Sequence, residues 1–176
     1  MIECFAVVKA GSENTGSSKP EHSVALNFEQ RQKSRARAVT NNGDDVSWFL
    51  PRAEILADGD CLQTKDNVQV RVIAADETLS EVCSDDTLLL TRVAYHLGNR
   101  HVPLQIKPGA LSYQHDHVLD AMVEGLGIKV ACVKKPFQPE NGAYHEHSSH
   151  SHSHSHERKS SHEHKNSHEL KNSHEH

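Results

Sequence analysis

Hydrophobic residues in the first part of the chain fall in short runs that are separated by polar, turn-forming segments. The runs VSWFL, CLQT and VQVRVIAA are divided by the turn signals NNGDD, ADGD and KDN. Short runs rich in β-branched and aromatic residues are typical of strands, and Asn, Asp and Gly favour the turns between them. The pattern therefore predicts a small all-β domain over residues 1–76, in which the polar segment 11–22 is a loop or linker.

From residue 77 onward the hydrophobic spacing predicts the order strand, helix, strand, strand, helix, strand. LSEVC is the first predicted strand, VPLQI and ALSYQ form a hairpin, and IKVACVKK is the last strand. The first helix is predicted over residues 85–101, where Asp85 or Asp86 can cap the start and Gly98 can close the end. Apolar residues at the spacing i, i+3, i+4 and i+7 predict two buried helix stripes: Leu90, Val93, Ala94 and Leu97 on the first helix, and Leu119, Met122, Val123 and Leu126 on the second.

This βαββαβ order is that of the ferredoxin-like fold. The sequence therefore predicts the α+β class, with the N-terminal small all-β domain followed by a ferredoxin-like domain over residues 77–144. After residue 144 the apolar periodicity ends, and the segment KNSHE occurs twice, at 165–169 and 171–175. Such a segment buries too little apolar surface to offset the entropy of ordering it, so residues 145–176 are predicted to be a disordered tail.

The tail is rich in histidine, which indicates metal binding. Neutral imidazole is the commonest protein ligand for divalent metals, and it suits zinc, copper and nickel. An expression tag or an inert low-complexity segment is the alternative interpretation. The composition of the tail does not select one metal. The tail residues predicted as ligands are His145, His147, His150, His152, His154 and His156.

Composition and charge exclude several classes of partner. The chain has 176 residues and a net charge of −5, whereas nucleic-acid binders usually carry a basic surplus and peripheral membrane proteins carry basic patches. No apolar run approaches the roughly 18–20 residues that span a bilayer, and no secretory leader is visible. The four cysteines are far apart and form no CxxC pair, which favours reduced thiols. We therefore expect a cytoplasmic protein that binds neither nucleic acid nor membrane.

Basic residues alternate in the segment QRQKSRAR. If the backbone is extended there, one face of it carries all four side chains: Arg31, Lys33, Arg35 and Arg37. The stripe fits a solvated strand face or a docking surface for an acidic partner, and nucleic acid ranks third because the rest of the chain is acidic.

Five histidines lie outside the tail, and two regions among them are candidate metal sites. His22 falls in the polar loop and His101 is the last residue of the first predicted helix, and neither receives a role. His96 lies on that helix about 120° from the centre of the buried stripe, so it flanks the core as a surface residue or as a ligand on a dimer-facing surface. In HDH, Asp116 fits the N-cap position of the second helix, and the helix dipole favours a neutral imidazole at His117.

No helical HExxH pair is present, so the spacing gives no support for a zinc hydrolase. Cys83 comes just before the first predicted helix of the second domain. We interpret it as a buried or reduced thiol rather than a metal ligand.

Several motifs resemble the urease accessory protein E family of metallochaperones. They are YHLGNRHVPLQI, HDHVLDAM, QRQKSRAR and FLPRAEILADGDCL, together with the His-rich end. The resemblance covers residues 24–145 and the composition of the tail. Two departures affect the N-terminal domain: Ala53 stands where the family pattern usually has glycine, and the segment 11–22 is longer than usual.

The resemblance implies a homodimer of two-domain chains that carries Ni²⁺ and is not an enzyme. The N-terminal domain would dock a partner or peptide. His96 would meet its symmetry mate to hold a shared central nickel ion, and His115 and His117 would form peripheral sites. The family also binds Cu²⁺ and Zn²⁺. It hands nickel to a GTP-hydrolysing accessory protein and the urease apoprotein complex, where the urease metallocentre is assembled. A nickel or zinc storage protein that acts mainly through its tail is the alternative.

Overall fold

The computed structural model describes residues 1–12 and 20–141 of the chain. These residues form eleven strands and three helices. The first half contains β1 Ile2–Cys4, β2 Ala6–Val8, β3 His22–Leu26, α1 Phe28–Arg31, β4 Arg35–Val39, β5 Asp45–Phe49, β6 Cys61–Gln63 and β7 Gln69–Ala74. The second half contains β8 Asp76–Cys83, α2 Thr87–Gly98, β9 Gln105–Lys107, β10 Ala110–Gln114, α3 His117–Glu124 and β11 Ala131–Pro136.

The first half folds into two sheets that share one core. One sheet has the order β1-β5-β4 and the other has the order β2-β6-β7-β3. Inward-facing side chains alternate with outward-facing ones along β7, as expected for a strand with one buried face. The core contains side chains from both sheets, among them Trp48, Val46, Leu26, Leu62 and Val70. The region is β-rich, as the turn signals predicted, with the single helical turn α1 as an addition.

The second half is a four-stranded antiparallel sheet with the order β11-β8-β10-β9. Its last strand lies beside its first, and its third strand lies between the first and the second, which is the ferredoxin-like arrangement. Both helices contribute to a core on one face of this sheet, where Val93 and Leu97 of α2 and Val123 of α3 pack with Val82 and Tyr113. The predicted α+β fold class is confirmed.

A third apolar cluster joins the two halves. Phe28 of α1, Leu79 of β8 and Phe137 after β11 are buried together, and Ile55 and Val133 pack against them. The rings of Phe28 and Phe137 meet edge to face with centroids 5.5 Å apart. The described part of the N-terminal half is therefore held against the ferredoxin-like sheet by packing as well as by the chain connection.

The predicted four-residue basic stripe is wrong at its first member. Asn27 and Gln30 form a reciprocal capping box that starts α1, so the backbone is helical and not extended at Arg31. The Arg31 side chain is fully buried. Of the four basic residues, only Arg35 and Arg37 lie on β4, where both are exposed.

Two further expectations are corrected by the strand boundaries. His22 is the first residue of β3 and not part of a loop; its Nδ1 lies 3.3 Å from the Asn42 amide nitrogen and 3.5 Å from an Asp44 carboxylate oxygen. Cys83 ends β8 and is exposed, so the buried alternative is wrong and the reduced thiol stays a prediction. All four cysteines lie in the described residues and are free. None of the described helices has the length and apolar character needed to cross a membrane.

Candidate metal site

The end of α2 is closed by a histidine and not by the glycine that the sequence suggested. Gly98 lies within the last turn of the helix. The amide of His101 donates to the Gly98 carbonyl at 2.9 Å, and the amide of Val102 donates to the Leu97 carbonyl at 3.2 Å. These are the two hydrogen bonds of a Schellman motif. In this motif His101 adopts the left-handed backbone conformation. Its φ is +56°.

His101 was given no role in the sequence analysis, and its backbone conformation makes it a candidate. The left-handed position after a helix usually holds Gly or Asn, because a β-carbon there costs about 1–2 kcal/mol. His101 carries this cost with an exposed side chain at the negative end of the α2 dipole. A strained non-glycine residue suggests that its side chain is needed. The available sequence signal was its place three residues after Gly98 in HLGNRH.

His96 lies in the last turn of α2 and is half-buried, which agrees with the predicted position beside the core. Its ring meets that of Tyr95 edge to face, with centroids 5.4 Å apart. The Arg100 guanidinium donates to the His96 main-chain carbonyl at 2.9 Å. The outer face of the same helix exposes large hydrophobic side chains, since Leu88 is 69% exposed and Tyr95 is 64% exposed. Two imidazoles, His96 and His101, therefore lie near the C-terminal end of a helix that has an uncovered apolar face.

The HDH segment begins α3 as the sequence predicted. Asp116 is the N-cap, and its carboxylate accepts hydrogen bonds from the amides of Val118 at 2.7 Å and Leu119 at 3.1 Å. The Leu119 amide and then the Val118 amide lower the pKa of Asp116. His117 is the first helical residue and is exposed.

His115, directly after β10, has two polar contacts at its Nδ1. Its Nδ1 lies 3.0 Å from the Ser80 hydroxyl oxygen and 3.1 Å from Oδ2 of Asp120. The other carboxylate oxygen of Asp120 accepts from the Tyr113 hydroxyl at 2.7 Å. Burial raises the pKa of the fully buried Tyr113, and Asp120 raises it further, so this phenol keeps its proton and remains a donor.

A single chain does not assemble a complete metal cage in the part that the structure describes. No group of three or more His, Cys, Asp or Glu side chains among residues 1–12 and 20–141 could hold an ion. The described candidates His96, His115 and His117 are therefore at most parts of incomplete sites within one chain. The tail candidates lie outside the described residues: His145, His147, His150, His152, His154 and His156.

Comparison with known families agrees with the two halves seen in the fold. The family model described as the N-terminal domain of UreE urease accessory protein matches residues 7–75, and the model described as its C-terminal domain matches residues 77–176. This chain belongs to the UreE family. The resemblance indicated by the motifs is confirmed.

Full-length relatives support the same assignment to UreE. Urease accessory protein UreE of Teredinibacter turnerae is 51% identical over 150 residues, which cover 85% of this chain and 95% of the relative. The protein of the same name from Saccharophagus degradans is 47% identical over 150 residues, covering 85% and 88% of the two chains. That of Alkalilimnicola ehrlichii is 56% identical over 121 residues, covering 69% and 74%. The name describes an accessory protein of urease and not urease itself.

Proposed function

We propose that this UreE chain is a nickel carrier that acts as a homodimer in the cytoplasm and delivers Ni²⁺ for assembly of the urease metallocentre. The observation that carries the proposal is the end of α2, where His96 and His101 lie beside an uncovered apolar face. The negative end of the helix dipole favours a cation there. The name of the relatives, urease accessory protein, supports urease maturation as the process.

The homodimer would complete the site that one chain leaves incomplete. An isologous two-fold contact brings the same residue of both chains together, so one imidazole per chain is enough to begin a shared site. Leu88 and Tyr95 are exposed on α2, and their burial in such a contact would be favourable. The central ligand is His96 in this proposal, and His101 is a second candidate at the same helix end.

A site built from few imidazoles also suits release of the ion. Structural zinc sites are closed by four protein ligands, whereas a shared two-imidazole site leaves positions for incoming ligands. His115 and His117 would provide peripheral sites, and the tail histidines would raise the local supply of ions as tethered ligands. Cu²⁺ and Zn²⁺ suit the same nitrogen ligands and would bind in vitro.

The N-terminal half offers a surface for a protein partner. Arg35 and Arg37 are exposed on β4, and Arg35 pairs across the sheet with Phe49, whose ring stacks on Phe5 at 5.8 Å. Both aromatic side chains are more than a third exposed. We assign this basic and aromatic face to docking of the GTP-hydrolysing accessory protein or the urease apoprotein complex.

Nickel titration by calorimetry tests the carrier role against storage. The chain truncated after Tyr144 should bind fewer ions than the full chain but keep one tight site of less than one ion per chain. In the truncated chain, His96→Ala should remove that site, while His22→Ala serves as the matched control and should keep it. Loss of nearly all binding on truncation alone would instead favour a storage protein that acts through its tail.

The dimer is tested separately by light scattering of the full chain. Leu88→Asp on the exposed α2 face should shift the protein toward monomer and remove the half-stoichiometric nickel site. Ile106→Asp, at an exposed position on β9, is the control and should leave the dimer intact. A dimer that is unchanged by Leu88→Asp would contradict the proposed contact.

A further inference from the structure

We infer that Asp120 is a positioning residue that fixes His115 in the tautomer whose Nε2 is free to bind a metal ion. The metal part of this inference rests on the proposed function, whereas the tautomer of the ring rests on the contacts of Nδ1 with Asp120 and Ser80. His115 and His117 are neighbours in sequence, and this network distinguishes between them.

The proton of the neutral His115 ring is assigned by its partners. An ionised carboxylate can only accept, so its oxygen Oδ2, 3.1 Å from Nδ1 of His115, favours a proton over a lone pair on that nitrogen. The Ser80 hydroxyl, at 3.0 Å from the same nitrogen, can rotate its own proton elsewhere. The lone pair of the neutral ring is then on Nε2, the nitrogen that does not face Ser80 or Asp120.

The carboxylate of Asp120 is itself held in place. Its Oδ1 accepts from Tyr113, which is fully buried and belongs to the core under α2 and α3. The Asp120 side chain is 17% exposed, whereas that of His115 is 41% exposed. The largely buried carboxylate of Asp120 thus contacts the imidazole of His115, which is more exposed to solvent.

This arrangement is the one that metal-ligating histidines commonly use. Donation of the second ring N–H to a carboxylate fixes the ring and raises the basicity of the ligating nitrogen, and loss of that carboxylate typically costs about 10–100-fold in metal affinity. Among the described residues, the structure records no hydrogen bond to the ring of His117. His117 is therefore the natural internal control for any effect attributed to Asp120.

The orientation is tested without metal by two-bond ¹H–¹⁵N NMR of the full-length chain above the imidazole titration. The His115 signals are identified from their loss in His115→Gln. The wild-type ring should show the Nδ1–H tautomer. In Asp120→Asn the amide can still accept from Tyr113 while its NH₂ group faces Nδ1, so the ring should change to the Nε2–H tautomer. Ser80→Ala should leave the wild-type tautomer unchanged.

An Nε2–H tautomer in the wild-type chain overturns the inference, and that measurement needs no variant to fold. An Nδ1–H tautomer that persists in Asp120→Asn also overturns it, because Asp120 would then not set the ring. The amide fingerprint spectrum of each variant shows whether the β10–α3 region is intact.

Diamagnetic Zn²⁺ added to the same samples tests the metal part. Saturating Zn²⁺ should shift the Nε2 resonance of wild-type His115, and the midpoint of that shift should rise about 10–100-fold in Asp120→Asn. The shift at His117 should keep its wild-type midpoint. An Nδ1–H ring that shows no response to Zn²⁺ would remove the metal role of His115 while the central α2 site remained testable by nickel calorimetry. A wrong tautomer would refute the inference whatever nickel does.

Discussion

The guanidinium of Arg31 donates a hydrogen bond to the main-chain carbonyl of Phe137, although 106 positions separate the two residues. Arg31 also donates to the Leu56 carbonyl at 3.1 Å and to the Gln138 side chain at 2.9 Å. Burial lowers the pKa of this guanidinium, with Glu77 and Asp58 acting in the opposite direction. A buried cation thus ties the helical turn of the N-terminal half to the segment that follows the last strand.

Replacement of Arg31 by methionine should destabilise the whole described fold. The change leaves buried carbonyl groups without their donor, and each buried acceptor left unsatisfied costs about 1–3 kcal/mol. Urea unfolding of the full chain measures it. Arg35→Met, on the exposed face of β4, is the matched control and should stay within about 0.5 kcal/mol of wild type. Equal stability of the two variants would show that Arg31 does not join the halves.

The parts of the fold that depend on long, regular periodicity were predictable. The buried stripe of α2 was predicted from the helical spacing, and the order of elements predicted the ferredoxin-like sheet. The helical position of Arg31 was not predictable, because four alternating basic residues fit a strand as well as a helical turn. The capping box at Asn27 and Gln30, which decides between them, was not recognised.

The candidate site was only partly predictable for a related reason. His96 and His117 follow from helix geometry, so their positions were predicted. The left-handed backbone of His101 depends on the exact residue at which α2 ends, and the hydrophobic spacing does not fix a helix end to a single residue. The network around His115 joins Ser80 to Asp120 across different elements, and no local pattern encodes that contact.

Ala53 offers a test of the departure from the family pattern. The structure gives this exposed alanine a φ of +68°, a conformation that favours glycine, which explains why glycine is usual there. Ala53→Gly should stabilise the protein by about 1 kcal/mol, because relief of about 1–2 kcal/mol of strain exceeds the added entropy of the unfolded chain. Ala53→Val should do the opposite. Thermal unfolding of both variants measures the difference, and destabilisation by glycine would refute the conformational argument.

His101→Gly separates the backbone role of this residue from its side-chain role. Glycine suits the left-handed position, so the free energy of unfolding should rise by about 1 kcal/mol. If the imidazole binds the ion at the end of α2, the same variant should lose about tenfold or more in nickel affinity at the tight site, as expected when one of few ligands is removed. A more stable protein with unchanged nickel affinity would leave His96 as the only ligand at that helix end.

The four free thiols should react in two classes. Cys83 and Cys132 are exposed, whereas Cys4 and Cys61 are buried. Burial raises the pKa of Cys4 from 9.0 to about 11, and it raises that of Cys61 as well. The thiolate is the reactive form, so iodoacetamide should label Cys83 and Cys132 in the native protein and the other two only after unfolding. Peptide mass spectrometry reads out the sites, and early labelling of Cys4 would contradict the burial.

The cap of α3 should make stability depend on pH in the acidic range. The amides of Leu119 and Val118 lower the pKa of Asp116 below its ordinary value of about 4. Because the folded pKa is the lower one, the carboxylate stabilises the fold above about pH 4 and this contribution is lost as the pH falls through the folded pKa. Asp116→Asn keeps a capping side chain without a charge. Between about pH 6 and pH 3, the urea concentration at the unfolding midpoint should therefore fall further for wild type than for the variant. Parallel losses in the two proteins would show that this carboxylate does not contribute to the acid dependence.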